Sequence, residues 1–411
     1  MPDRKIICLA MACLLLQGCS SWWLRKDYSN PLPAGQVALR KITDPARIPD
    51  FRRAFNNPHK LVASIDHSLT YFNEHPSSQA YFPYLDVGHS RAVKSLERFK
   101  RLLAECSTAD EFHRRLVEDF DVYESVGCDD RGTVLFTGYC TPIYEASLTP
   151  SIEFKYPLYK LPPDLVKRSD GVVLGRKTAA GDIVPYYTRL QIEQGERLKG
   201  LELVYLRDRL EAFLVHVQGS ALLRLRDGKM MEVGYAGKNG RSYSSLGRML
   251  GDDRKIHRDR VSLTTIKEYF RANPQDLDTY LPRNESYIFF RETQGGPFGS
   301  LGRQVTAYCS IATDKNKDPS MSETAEIYPR GCLAFVETKL PSIARSDGRV
   351  EKRPYSGFAL DQDTGGAIRS AGRCDIYLGT GRVAELLAGH TVAEGRLYYL
   401  FIKRELIQRE L

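Results

Sequence analysis

Two hydrophobic periods divide the chain. Between about residues 47 and 125, apolar side chains recur at three- and four-residue spacing, as in Ser95-Leu96-Glu97-Arg98-Phe99-Lys100-Arg101-Leu102-Leu103, which predicts amphipathic helices. Phe112, Leu116 and Phe120 continue the pattern after Ser107-Thr108-Ala109-Asp110, a run of helix-starting residues. From Gly132 the texture changes to short β-branched and aromatic runs broken by Gly and Pro. Val134-Leu135-Phe136, Leu214-Val215-His216-Val217 and Ala221-Leu222-Leu223-Arg224-Leu225 predict strands, the last closed by a turn at Asp227-Gly228. Two helices are expected to interrupt, near 203–213 and 262–272, the second capped by Ser262. Strands resume at Tyr287–Phe290, Leu333–Val336, Gly357–Leu360 and Leu397–Ile402. The expected class is mainly β with helices (α+β), built from barrels and not a doubly wound sheet.

The 411 residues suffice for two cored domains, and 42% hydrophobic with 27% charged residues excludes a largely disordered chain. No apolar run reaches the length of a membrane-spanning helix. Lys and Arg exceed Asp and Glu by 59 − 51 = 8. That excess is spread along the chain, so no nucleic-acid partner is expected, whereas an anionic membrane surface or an acidic wall polymer suits it.

The N-terminus predicts an address. Arg4 and Lys5 precede an apolar stretch from Ile6 to Leu16, too short to cross a bilayer but suited to a signal peptide. It runs into Leu16-Gln17-Gly18-Cys19, the kind of sequence a lipoprotein signal peptidase accepts. Residues 1–18 are thus expected to be removed and Cys19 lipidated, giving stable anchoring. Ser20 follows with no Asp to retain the protein at the inner membrane, so the outer membrane, periplasmic face, is expected. Residues 19–45, with Asn30-Pro31-Leu32-Pro33, read as a tether. In an oxidising compartment the six remaining cysteines (Cys106, Cys128, Cys140, Cys309, Cys332, Cys374) make disulfides an expectation, with Cys106–Cys128 and Cys309–Cys332 as local closures. No metal-type Cys or His spacing occurs, so no metal is expected.

The densest chemistry lies late in the chain: Leu360-Asp361-Gln362-Asp363-Thr364-Gly365-Gly366-Ala367-Ile368, then Cys374-Asp375-Ile376-Tyr377-Leu378-Gly379. Two carboxylates on neighbouring strand ends can share a pocket, where like charge raises one pKa. A raised carboxyl can protonate a glycosidic oxygen near neutrality. From spacing alone, Asp363 and Asp375 capping turns is the competing reading.

The run Asp363–Ile368 with Asp375 twelve residues on resembles the C-terminal domain of the membrane-bound lytic murein transglycosylase A family. Phe136-Thr137-Gly138-Tyr139-Cys140-Thr141-Pro142, Tyr156-Pro157-Leu158-Tyr159, Val217-Gln218-Gly219-Ser220 and Gly234-Tyr235-Ala236-Gly237-Lys238-Asn239-Gly240 resemble further family segments in the same order, over roughly 130–400. The resemblance implies a double-psi β-barrel (46–142 and 292–411, with the N-terminal helices), an inserted β-domain (143–291) and a groove between them. It implies non-hydrolytic cleavage of the N-acetylmuramic acid to N-acetylglucosamine bond to 1,6-anhydro products. Asp375 would be the acid/base and Asp363 its companion, with Asp361 as an extra acid that could share that role. Thr137, Thr141, Gln218, Tyr235 and Lys238 would line or support the groove. Implied partners are peptidoglycan glycan strands and the outer membrane through Cys19, with room for other cell-wall enzymes.

Two departures from the family pattern stand out: Cys140 replaces a Tyr, and Cys374 stands where Phe or Ala is commoner. A Cys140–Cys374 disulfide would pin the groove if the two were close. Two rivals remain open: a β-1,4-glycan hydrolase in which Asp363 activates water, and a wall-binding lipoprotein that does not cut. Nucleophile-elbow, zinc-protease, phosphate-loop and dinucleotide motifs do not occur, so no cofactor is expected.

Overall fold

The computed structural model describes residues 26–33, 36–55, 58–74, 87–168, 172–258, 261, 263–314, 327–344, 348–365 and 368–407. The signal segment 1–18, Cys19 and the expected cap Ser262 lie outside the described residues. Strand β1 (Leu39–Lys41) precedes helices α1 (Pro58–Glu74), α2 (His89–Glu105) and α3 (Ala109–Asp119). Then come β2 (Phe120–Ser125), β3 (Val134–Thr141), β4 (Ile143–Ser147), β5 (Tyr156–Tyr159), β6 (Leu165–Lys167), β7 (Val173–Lys177) and β8 (Ile183–Val184). The middle continues with α4 (Arg189–Glu193), β9 (Glu202–Leu206), α5 (Arg209–Gln218), β10 (Ser220–Leu225), β11 (Met230–Lys238), α6 (Leu246–Asp252), α7 (Leu263–Ala272) and α8 (Leu277–Tyr280). The last part holds β12 (Ile288–Thr293), β13 (Ser310–Thr313), β14 (Leu333–Ile343), β15 (Val350–Thr364), β16 (Arg373–Thr380), α9 (Gly381–His390), β17 (Val392–Ile402) and α10 (Arg404–Ile407).

Strands pair in the order β1-β2-β17-β14-β15-β13-β16-β3, and β17 also pairs with β3. That second pairing closes β17, β14, β15, β13, β16 and β3 into a six-stranded barrel, with β2 and β1 as an outer extension. The pairs β13–β15 and β16–β3 are parallel while the rest are antiparallel, in keeping with the double-psi barrel expected. A separate sheet, β12-β11-β10-β4-β9-β5, and a small one, β6-β7-β8, are made from the segment between β3 and β13. Within the segment read as a tether, Leu39–Lys41 pair with β2, and Lys26 and Tyr28 both bond Glu394 on β17 (3.0 and 2.7 Å).

Local chemistry explains the helices. Thr108 caps α3, its hydroxyl accepting the Glu111 amide, with Asp110 and Glu111 in the favourable first turn. The apolar stripe of α2 (Leu96, Phe99, Leu102) joins Phe112 and Leu116 of α3 in the barrel-side core. Their meeting point is Phe358 of β15, whose ring lies 4.8–5.8 Å from those of Phe51, Phe99, Phe112 and Phe335.

Some expected elements fall elsewhere. The helical pattern stops at Asp119, and Phe120–Ser125 is a strand. Leu214–Val217 is helical, part of α5, and the helix expected near 203–213 begins only at Arg209, after strand β9. α5 is covered on two sides: Leu210, Phe213 and Leu214 face the α6–α8 cluster, while Ala212 and Val215 face the second sheet. Burial on two faces erases the helical alternation and leaves a continuous apolar run that reads as a strand. The Asp208 cap at one end and Gly219 at φ +78° at the other were the usable signals.

The expected disulfides are not formed: Cys106, Cys128, Cys140, Cys309, Cys332 and Cys374 are all free thiols. Cys309 and Cys332 precede β13 and β14, which flank opposite edges of β15. Two strand spacings of about 4.8 Å each separate them, beyond disulfide reach. Cys374 pairs in register with Phe136, four residues along β3 from Cys140, so that closure is also excluded.

Inside the barrel, Asp361 is fully buried. Its Oδ2 accepts from Thr313 and Tyr399 at 2.7 Å each, while Oδ1 has no hydrogen-bond partner among the described residues. Burial pushes its pKa up to about 7, against the pull of those two hydroxyls and Arg330.

Two stability predictions follow from this core. Phe358→Ala should lower unfolding free energy by about 3–5 kcal/mol, read by denaturant titration. For Asp361 the native state holds a proton that the unfolded chain releases near 3.8, so its contribution falls as pH rises from about 4 to about 7. In paired titrations at about pH 5 and about pH 8, the balance of stability should move toward Asp361→Asn at the higher pH.

Candidate active site

Strand β16 carries Asp375 beside Thr137 of the parallel neighbour β3, the two paired in register. The Thr137 hydroxyl donates to Asp375 Oδ1. Arg373, two residues earlier and so on the same strand face, donates to Thr137 Oγ1 (3.2 Å) and lies 3.6 Å from Asp375 Oδ1. Tyr377, two residues later, bonds Thr141 (Oη to Oγ1 3.0 Å), and its ring lies 5.1 Å from that of Tyr139. Alternation therefore lays Arg373, Asp375 and Tyr377 against Thr137, Tyr139 and Thr141.

Asp363 reaches this cluster through a bulge. Ile311 of β13 pairs with Asp361, but Ala312 pairs with Asp363, leaving Gln362 as the extra residue. Gln362 is buried and fully bonded: Oε1 accepts from Ser64 (2.9 Å) and Ser310 (2.6 Å), and Nε2 donates to Ser64 O (2.7 Å) and Ser68 (2.9 Å). Asp363 Oδ1 accepts the amides of Ser300 (2.9 Å) and Thr364 (2.8 Å). The Tyr139 hydroxyl, sealed from solvent and without a hydrogen-bond partner of normal geometry, lies near enough to bias Asp363 toward its anion.

Both acids are displaced upward. For Asp375 the first cause is loss of hydration, opposed by the Arg373 charge and the Thr137 hydroxyl. For Asp363 burial again leads, opposed by the Thr364 amide, Tyr139, the Ser300 amide and Arg330. The Asp375 side chain keeps 21% of its surface exposed. Burial shifts it toward the neutral acid, and the exposed part of its surface leaves it open to a ligand.

The remaining expected residues stand on the other sheet. Gln218 ends α5 and is exposed, Tyr235 on β11 is 51% exposed, and Lys238 on the same strand is exposed. Among the described residues, none of the three hydrogen-bonds or ion-pairs with Asp375. Leu222 of β10 nevertheless pairs with Ile143, so Ser220 is level with Thr141 at the end of β3. Ser220 also pairs with Gly234, next to Tyr235. The Gln218–Ser220 turn and Tyr235 thus share the edge of the second sheet nearest the barrel site. Asp361 does not join the cluster, because it faces Thr313 and Tyr399 inside the barrel.

Sequence reasoning missed Arg373, Tyr377, Tyr139 and Ser300. The first three were within reach, since period-two spacing from Asp375 and Thr137 puts them on the same face. Ser300 comes from a distant loop, and nothing local marks it.

Comparison with known proteins bears on the family and the fold. The MltA specific insert domain model matches residues 135–291, and the 3D domain model matches residues 310–401. A membrane-bound lytic murein transglycosylase A from Vibrio cholerae is 32% identical over 278 residues, covering 67% of each chain. The crystal structure of a membrane-bound lytic murein transglycosylase from Agrobacterium tumefaciens superposes with a TM-score of 0.70 at 26% identity, covering 90% of this chain and 99% of that one. Escherichia coli MltA with bound chitohexaose shares the fold, with a TM-score of 0.63 at 22% identity over 92% of this chain and 96% of that one. With its barrel and insert matched in order, the chain belongs to the membrane-bound lytic murein transglycosylase A family.

Proposed function

We propose that this chain is a lytic murein transglycosylase that cleaves the bond from N-acetylmuramic acid to N-acetylglucosamine without water, with Asp375 as its single acid/base. The observation that carries this reading is the desolvated Asp375 carboxyl, partly open and steadied by Thr137 and Arg373. Its neutral form protonates the leaving glycosidic oxygen as the bond to C1 breaks. The resulting carboxylate then takes the proton of the C6 hydroxyl, whose oxygen closes on C1 as a 1,6-anhydro ring. The proton returns to Asp375, so the cycle balances without added water. A nucleophile within the same sugar has a high effective concentration, which removes the need for an activated water.

Asp363 supports the positive charge that builds on the sugar. Its Oδ1 is already engaged by two amides, which fix the carboxyl in place and oppose the push of burial toward its neutral form. Thr137 and Thr141 shape the barrel side of the groove, and Gln218, Tyr235 and Lys238 present polar groups from the insert. The division at about 142/143 and 291/292 puts the groove between the two parts. Chitohexaose bound to the E. coli relative supports a β-1,4-linked amino-sugar strand as the ligand. The relatives' designation as membrane-bound supports anchoring, here through signal removal and lipidation at Cys19 on the periplasmic face of the outer membrane.

Digestion of purified murein with the products weighed tests the reaction. Wild type should release fragments lighter by one water than reducing-end sugars, and Asp375→Asn should lose at least about a hundredfold in rate with an unchanged circular dichroism spectrum. Reducing-end products would establish the hydrolase instead. Thr137→Val removes a hydroxyl that favours the Asp375 anion, so the acid should hold its proton longer. The alkaline limb of the pH–rate profile should then move to higher pH.

A further inference from the structure

A cavity of about 810 Å³ lies away from the acid cluster. Its walls come from both parts of the molecule: Glu145 on β4, Asp208 and Glu211 at the start of α5, Lys267 and Arg271 on α7, and Arg382 and Glu385 on α9. Strand β3 separates it from Asp375. Thr137, Tyr139 and Thr141 face the acid, whereas Cys140, on the opposite face, feels the charges of Glu385 and Lys267. None of the residues assigned to the groove lines this cavity.

The charges in the cavity are only partly paired. Arg224 bonds Glu145 at 3.2 Å, and Lys267 of α7 pairs with Glu385 of α9, a link from insert to barrel. Arg207 turns to Glu153 (3.1 Å), and Asp208 is occupied in capping α5. Three groups remain. Among the described residues Arg271 and Arg382 have no acidic partner, and the Glu211 carboxyl has no hydrogen-bond donor. Glu211 is half-buried and surrounded by Asp208, Glu385 and Glu145, with Lys267 the opposing charge; burial first and then Asp208 push it up to about 7.

A desolvated carboxyl among other carboxylates gains most from an ammonium ion. Guanidinium groups gain most from a carboxylate, which they bind in a two-pronged fashion. We propose that this cavity binds a zwitterionic peptide end, a free ammonium held at Glu211 and a free carboxylate held by Arg271 and Arg382. The volume falls within the range of small-molecule sites, about 300–1,000 Å³, and is sufficient for a short peptide. Because α7 and α9 both contribute, an occupant bridges insert and barrel behind the groove. Peptide branches of a wall polymer and free wall peptides both carry such ends; assigning the polymer as the source rests on the lytic reading, whereas the site itself does not.

The test is calorimetric titration of the full chain in detergent with the free tripeptide L-alanyl-γ-D-glutamyl-meso-diaminopimelate. Binding should weaken by about tenfold or more when the peptide amines are acetylated, in Glu211→Gln, and in Arg382→Gln. Arg382 is a surface side chain whose replacement spares the core, so a folding failure of the Glu211 variant leaves the test intact. Displacement of the tripeptide by peptide-bearing but not peptide-free glycan strands would assign the polymer as source; displacement by neither would assign free peptides. Absence of binding to wild type, or binding indifferent to acetylation and to both substitutions, overturns the proposal. Since the readout is heat and not turnover, a chain with no lytic activity would still answer it.

Discussion

The barrel site depends on one irregularity, the extra residue in β15 opposite β13. Without it, strand alternation would place Asp361 and Asp363 on one face, and two desolvated carboxyls would compete for the same space. With it, Asp361 faces Thr313 and Tyr399 inside the barrel, while Asp363 turns out to the Ser300 and Thr364 amides. A bulge in a parallel pair is uncommon and leaves its extra residue outside the ladder. Here Gln362 is held by three serines, two of them on α1, with both ends of its amide satisfied. A buried polar network of that completeness specifies a single arrangement. The helical N-terminal region therefore helps to position the two acids, because Ser64 and Ser68 of α1 fix the residue between them.

Around Asp375 the influences on the carboxyl oppose one another, with burial the largest. Burial alone would push the carboxyl further toward its neutral form. Arg373 and Thr137 on the same face pull the other way. Arg373 stands two residues back on the same strand and Thr137 directly opposite on the parallel neighbour, so the balance is set by barrel register, not by loop conformation. Gly138 permits the close packing behind it: a Cβ there would meet Leu378 and Thr391 at 2.8–2.9 Å.

β3 also organises the two halves of the molecule. One face presents Thr137, Tyr139 and Thr141 to the acids, and the other lies against α9. The strand then passes through Pro142 directly into β4 of the second sheet. The Lys267–Glu385 pair and the cavity beside it sit on the far side of that crossing. β3 thus leads from the acid-bearing face into β4, whose Ile143, Tyr144 and Glu145 line the cavity.

Much of this was legible without coordinates. Amphipathic spacing located α2 and α3, strand runs located β3, β10, β12, β14, β15 and β17, and the motifs around Asp363 and Asp375 identified the family. These are local properties, set by side-chain period and backbone preference within a few residues. The misreadings were non-local. α5 hid its period because it is buried on two faces, and Cys309 and Cys332, read as a local closure, stay thiols because β15 stands between them. Ser300, the bulge at Gln362 and the cavity behind β3 have no local signature. They follow from barrel closure, which brings residues distant in the chain within hydrogen-bond reach and decides which of them water can see.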